Sequence, residues 1–412
     1  MSATTNITNS TQHFLHLEEA FGAHNYHPLP VVLERGSGVH VWDVDGKQYF
    51  DFLSGYSAVN QGHCHPRIIN ALTAQAQKLT LTSRAFHNNL MGEYAQYITS
   101  LFGYDKVLPM NTGVEAVETA LKLARRWGYE VKGIPAGQAK ILVCANNFHG
   151  RTLNVISFSN DPDARINYGP FMPGYETVAY NDINALKAAL KDPNVAGFLA
   201  EPIQGEAGVV VPDEGYLRQV SNLCKEANVL FIADEIQTGL GRTGKMLACD
   251  HEGVRADIVI LGKALSGGTM PVSAVLADDA IMMLIKPGQH GSTYGGNPLA
   301  CAVAIEALKV LIDEKMCDNA TEQGDYFRDQ LNALNSPYIK LVRGKGLFTA
   351  VVIGHESLGK DAATDLCLRM MENGLLAKPT HGDKIRFAPP LTIKREQVDE
   401  CIAIIAASLQ SL

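Results

Sequence analysis

Two residues stand at the ends of apolar runs, where their charges need an explanation. In VLFIADEIQTG, residues 229–239, five apolar residues lead into Asp234 and Glu235; in ADIVILGKALSGG, residues 256–268, a second run ends at Gly262-Lys263. The carboxyl ends of neighbouring strands are where open α/β sheets bind ligands. A lysine there is partly desolvated, which lowers its pKa and makes a neutral amine available as a nucleophile. Adjacent strands lie about 4.8 Å apart, so an acid on one and a lysine on the next can bracket a flat ring. Pyridoxal phosphate has the matching chemistry. Lys263 would form an imine with its aldehyde, and Asp234 would keep its ring nitrogen protonated, making the ring an electron sink for a substrate carbanion. A lysine at a strand end is more often a solvated edge residue, and it is the pairing with Asp234 that favours the ring. The period-2 alternation of a strand turns Glu235 to the opposite face, as a structural hydrogen-bonding acid.

A phosphate needs a cradle. MNTGVEAVETALKLARR places Asn111-Thr112-Gly113-Val114 at a helix start, where free N–H groups and the helix dipole favour an anion. An ordinary capped helix has the same pattern. Two other motifs compete for attention. GLGRTG at 239–244 matches GxGxxG, and with Lys245 most of a Walker loop, but Met246 stands where Ser or Thr would hold Mg²⁺. A dinucleotide loop needs an acid closing the next strand, and that strand closes on Gly262-Lys263. The better account is a glycine loop with unusual backbone angles. His63-Cys64-His65 suggests a metal, yet an extended HCH segment points alternate side chains apart and no further ligands follow at metal spacing, so no metal is expected.

The elements that must position these groups are legible. AKILVCA, NVAGFLAEP, NVLFIADE and ADIVILGK are uniformly apolar short strands, alternating with helical patterns such as VEAVETALKLARRWGYE and EGYLRQVSNLCKEAN. That alternation predicts a mainly parallel sheet covered on both faces. GSGVHVWDVDGKQYFDF reads as a hairpin around its Asp-Gly turn. A long helix, CAVAIEALKVLIDEK, and a second αβ set follow residue 300. The expected plan is α/β: an N-terminal segment 1–52 contributing to a small domain, a large domain 53–299, and a C-terminal small domain 300–412.

Composition bounds the rest. The 412 residues carry 35 basic and 43 acidic side chains for a formal charge of −8, which argues against nucleic acid or anionic membrane as partners. No apolar run approaches the ~18 residues of a membrane span. The N-terminus lacks a signal-peptide core and its first basic residue is Arg35, so a cytoplasmic location is expected, with the mitochondrial matrix only if a presequence has been removed. Eight scattered cysteines without a CxxC motif read as reduced, mostly buried thiols.

The set NTGVEA, NNFHGRT, EPIQGEAGV, LFIADEIQTGLGRTG, ILGKALSGG, GSTYGGNPLA and IRFAPPL, in this order, resembles the class III pyridoxal-phosphate aminotransferases of fold type I over nearly the whole chain. YHPLPVVLERGSG, FDFLSGYSAVNQGHCHP, LTSRAF and LLAKPTHGDKIRFAPPL resemble the ornithine-using branch rather than the acetylornithine or 4-aminobutyrate branches. The resemblance implies transfer of an amino group from L-ornithine to 2-oxoglutarate. It gives Lys263 the Schiff base and Asp234 the ring nitrogen, with Gln237 on the phenolic oxygen and Phe148 stacked on the ring. Gly113, Val114 and, from a partner subunit in a homodimer, Thr293 would hold the phosphate. Tyr26 and Arg151 would hold ornithine's α-carboxylate, Tyr56 would shape the pocket, and Arg386 would take the α-carboxylate of 2-oxoglutarate, masked by Glu206 in the first half-reaction. The sequence departs from the family at His149, where Trp or Tyr is frequent, and at Gly241, where Ala is; neither position carries the named chemistry, and His149 is expected to alter only ring-edge contacts.

Overall fold

A computed structural model describes residues 10–380 and 382–412. The first nine residues, part of the N-terminal segment considered above, lie outside the described residues. Seven strands form the central sheet, in the spatial order Lys106–Met110, Ser273–Ala277, Ile258–Leu261, Leu230–Asp234, Val195–Ala200, Lys140–Cys144 and Tyr175–Val178. Ser273–Ala277 is antiparallel to both its neighbours, and every other pairing is parallel. The apolar runs therefore give the mainly parallel sheet expected of them.

Those runs are apolar at every position because both faces are covered. Leu230 and Ile232 pack into one apolar layer with Ala116 and Leu123 of the helix Gly113–Trp127. Phe231 and Ala233, turned to the other face by the strand period, join a second layer with Phe198, Val259 and the helix Pro298–Asp313. Burying each large aliphatic side chain contributes about 1.5–3 kcal/mol, so a strand of this kind is fixed in register on both sides.

Two smaller sheets flank this one. The hairpin His40–Asp43 and Gln48–Asp51 forms as its Asp-Gly turn predicts, with Leu33–Ser37 on one edge and Leu375–Leu376, from near the other chain end, on the opposite edge. The third sheet runs Ile339–Lys345, Phe348–Ile353, Lys384–Phe387, Lys378–Thr380. Between the hairpin and the first long helix lies a turn the sequence does not announce. Ser54, Gly55, Tyr56 and Ser57 all have positive φ, at 50°, 56°, 61° and 71°. Asp51 anchors its entry, Oδ1 accepting from the Leu53 and Ser54 N–H groups at 2.9 and 2.8 Å.

His63, Cys64 and His65 diverge. His63 bonds Asp51 at 2.7 Å, His65 bonds Glu314 at 3.0 Å, and Cys64 is exposed. Among the described residues no three His, Cys, Asp or Glu side chains gather as a metal site, and no helix is long and apolar enough to cross a membrane. All eight cysteines are free thiols, six of them buried.

Candidate active site

Four neighbouring strands of the central sheet deliver side chains to one cavity of about 260 Å³ at their carboxyl ends. The strand Ile258–Leu261 leads to Lys263, Leu230–Asp234 ends on Asp234, Val195–Ala200 leads to Glu201, and Lys140–Cys144 leads to Phe148 and His149. Gly113 and Val114, the first residues of the helix after Lys106–Met110, line the same space, as do Ile236 and Gln237.

Asp234 pairs in register with Ile260, which places it beside the strand that carries Lys263 three residues on. Lys263 sits at φ 44° in the left-handed region, at the start of a 3-10 turn, partly buried and lining the cavity. Burial pushes its ammonium below the ordinary lysine range; Glu206 and Asp234 pull the other way and Arg386 adds to the depression. The amine is thus nearer to its neutral, nucleophilic form. Glu235 is buried on the far face as expected, accepting from the Ala248 and Cys249 N–H groups at 3.0 and 2.9 Å and from Thr238 Oγ1.

Thr112 caps the helix that starts at Gly113, and Glu115 returns the bond to the Thr112 N–H at 2.7 Å in a capping box. The N–H groups of Gly113 and Val114 have no acceptor within the helix, and both residues line the cavity. A Cβ on Gly113 would come within 2.9 Å of the Ile236 side chain, so the cradle is tight against bare backbone. These features fit a flat ring with an anionic arm: apolar walls from Phe148, Val114 and Ile236, an acid and an amine at its edges, and a helix N-terminus for phosphate.

Three lining residues carry roles that were not anticipated. His149 was assigned no chemistry, yet its enclosed Nδ1 lies 2.6 Å from Asp234 Oδ2, and its Nε2 is buried without a partner. Burial alone would lower its pKa, but the Asp234 hydrogen bond and charge override this and the net shift is upward. Glu201 accepts from the Phe148 and Gly205 N–H groups at 2.9 and 3.2 Å. Burial, with Asp234 adding to it against the pull of His149, pushes Glu201 up to about 7. Ile236 lines the cavity beside Gly113 and Gly262. The signal for Glu201 was present, since FLAE at 198–201 repeats the apolar-then-acid pattern of FIAD at 231–234.

Arg386, almost fully buried on the strand Lys384–Phe387, bonds Glu206 Oε1 through Nη1 at 2.7 Å and Gln237 Oε1 at 3.4 Å, while its Nε has no partner. Burial would raise Glu206, but the Arg386 charge and hydrogen bond bring it below the ordinary carboxylate range. Gln237 also reaches Glu206 at 3.4 Å and the Tyr56 carbonyl at 3.3 Å. The half-buried Tyr56 ring has its centroid 5.0 Å from the Arg386 guanidinium.

The remaining expected residues are exposed and are not among this cavity's lining. Arg151 is largely exposed, over the Phe148 ring at 5.3 Å and paired with Asp161 at 3.1 Å. Tyr26 is exposed, with Lys378 Nζ 5.7 Å from its ring centroid. Thr293 is exposed beside Ser292, whose hydroxyl accepts from Asn111 at 2.8 Å, and is not part of this cavity's lining.

Comparison with known proteins bears on this geometry. Residues 21–409 match the family model described as aminotransferase class-III. The chain is 62% identical to "Ornithine aminotransferase, mitochondrial" of Rattus norvegicus, over 98% of this chain and 91% of that one. It superposes on the crystal structure of an ornithine aminotransferase from Toxoplasma gondii with a TM-score of 0.95 and 50% identity, covering 98% and 95% of the two chains. A structure named acetylornithine aminotransferase, from Elizabethkingia anophelis, is 61% identical with a TM-score of 0.91, covering 98% and 100%.

Proposed function

The chain belongs to the class III aminotransferases, with the fold of the fold type I enzymes, and we propose that it moves the δ-amino group of L-ornithine to 2-oxoglutarate. Glutamate 5-semialdehyde and glutamate are the products of a two-stage exchange through pyridoxal phosphate. The cofactor would supply an aldehyde that captures the amine and a protonated ring that stabilises negative charge at the reacting carbon. Lys263 and Asp234 would hold it at its two edges, with Gln237 toward its phenolic oxygen, Phe148 against a face, and Gly113 and Val114 for its phosphate. The Lys263 amine, once free, would serve as the general base that moves the proton.

The observation that carries the substrate assignment is the Glu206–Arg386 pair. A bare Arg386 would seize ornithine's α-carboxylate and present the wrong amine. With Glu206 occupying it, ornithine must bind by its carboxylate elsewhere, at Tyr26 and Arg151, and extend its δ-amine to Lys263. When Glu206 swings aside, Arg386 is exposed for the α-carboxylate of 2-oxoglutarate, and a bidentate Arg–carboxylate pair makes that exchange chemically reasonable.

The Elizabethkingia structure favours a second donor, N-acetylornithine. Tyr56 favours ornithine, because the acetylornithine and 4-aminobutyrate branches are expected to carry a smaller or apolar residue there. The division into segments 1–52, 53–299 and 300–412 goes with this assignment, as does a homodimer in which Thr293 of the partner subunit completes the phosphate site.

The visible spectrum of the purified protein tests cofactor and donor together. The expected result is a yellow protein that bleaches with L-ornithine and recovers with 2-oxoglutarate. Bleaching by N-acetylornithine alone would move the assignment to the second donor.

A further inference from the structure

The GLGRTG loop, which fails as a nucleotide motif, holds Arg242, a fully buried arginine. The loop closes on itself through Leu240 N–H to Met246 O at 2.7 Å and Gly241 N–H to Lys245 O at 3.1 Å. Its glycines are required by what presses on it. Gly241 has φ 87° and a Cβ there would meet Leu391 at 2.8 Å; Gly244 has φ 93° and a Cβ would meet Thr321 at 2.2 Å. The loop is therefore wedged against the C-terminal part of the chain.

Arg242 spans that seam without a carboxylate partner. Nη1 donates to the Leu347 carbonyl at 2.8 Å and the Pro389 carbonyl at 2.6 Å, Nη2 donates to Asn60 Oδ1 at 2.7 Å, and Nε has no partner. Burial pushes the guanidinium down to about 9, against the pull of Asp51, so it stays charged at neutral pH. A buried cation satisfied only by dipoles is an expensive way to fill a core, and its acceptors show what it gains. Pro389 lies three residues beyond Arg386. Leu347 enters the strand Phe348–Ile353, whose Ala350 pairs with Arg386. Asn60 follows the left-handed turn carrying Tyr56, and its own Nδ2 returns to the Leu240 carbonyl at 2.9 Å.

We propose that Arg242 is a positioning residue for the acceptor site: by tying Leu347, Pro389 and Asn60 to the glycine loop, it fixes where Arg386 stands relative to Lys263. This rests on the assignment of Arg386 to the 2-oxoglutarate carboxylate. A residue that merely stabilised the fold would affect both substrates alike, whereas one that aims Arg386 acts on the acceptor, because the donor is bound while Arg386 is paired with Glu206.

The test uses Arg242→Lys, which keeps the charge but loses the planar fork, and Asn60→Ala, which removes one Arg242 acceptor together with the Asn60 bond to the Leu240 carbonyl and gives the readout where the first variant does not fold. The two half-reactions of the holoenzyme are measured separately, together with hydrogen exchange of the segment 384–391. The expected result is a KM for 2-oxoglutarate raised about tenfold or more, an ornithine half-reaction changed far less, and faster exchange in 384–391. Equal losses in both half-reactions, or unchanged exchange in that segment, would overturn the proposal. If ornithine proves not to react, the assignment of substrate fails, and the exchange measurement alone decides whether the clamp exists.

Discussion

Glu201 is a buried carboxyl held about where neutral solutions titrate it, and the sign of its effect on stability follows. Its pKa is about 7 in the folded chain against an ordinary 4.5, so between those values the folded form keeps a proton that the unfolded form has released. The stabilisation is complete below pH 4.5 and is lost as pH rises to about 7, at a limiting slope of about 1.4 kcal/mol per pH unit for one proton. Glu201→Gln is neutral throughout, so urea unfolding of the cofactor-free variant is expected to show a shallower decline with pH over this interval. His149, also shifted upward, keeps a decline of the same sign in both proteins. Parallel curves for the two proteins would show that Glu201 is already ionised when folded. Asp234 and Lys263 were legible because each interrupts an apolar run with a charge. His149 was not, because its bond to Asp234 joins a loop to a strand end 85 residues away and leaves no periodic trace.

The turn at Ser54–Ser57 shows how an element can escape the sequence while deciding the site. SGYSA contains a single glycine, and nothing in local propensity predicts four successive left-handed residues, each non-glycine of which is strained by roughly 1–2 kcal/mol. One local and one tertiary contact hold it: Asp51 accepts from the entry N–H groups two and three residues on, and Gln237 from across the fold holds the Tyr56 carbonyl. The strands and long helices, by contrast, follow from apolar runs and capping residues because local preference and burial agree there. Ser57 is buried with an unpartnered hydroxyl as well as a positive φ. Ser57→Gly removes both penalties and adds only the backbone entropy of glycine in the unfolded chain, so it is expected to stabilise by about 1 kcal/mol. Ser57→Ala removes only the hydroxyl and should gain less. Urea midpoints in the order Gly, Ala, Ser, from most to least stable, would confirm that the turn stores strain, whereas a Gly variant less stable than Ser would show the turn to be relaxed.

At the scale of the whole molecule, the described residues leave large apolar side chains to water. Phe21, Phe86, Leu153 and Tyr294 are all more than half exposed, which is large apolar area for water to cover. Tyr294 adjoins Thr293, so this surface and the proposed second half of the phosphate site coincide. If Thr293 serves the partner's cofactor, the two halves can be broken in different subunits. Lys263→Ala abolishes chemistry in its own site but still lends an intact Thr293 across the interface. Thr293→Asp sets a carboxylate against the neighbouring phosphate and weakens cofactor binding in the homodimer. Each homodimer is then inactive or poor, but a mixed dimer contains one site built from Lys263 of one subunit and Thr293 of the other, both native. Co-refolding the two variants should recover up to about a quarter of native activity, half the dimers being mixed and each carrying one good site in two. Activity that stays at the sum of the separate homodimers would place Thr293 in the site of its own chain and remove the reason for the dimer to be obligate.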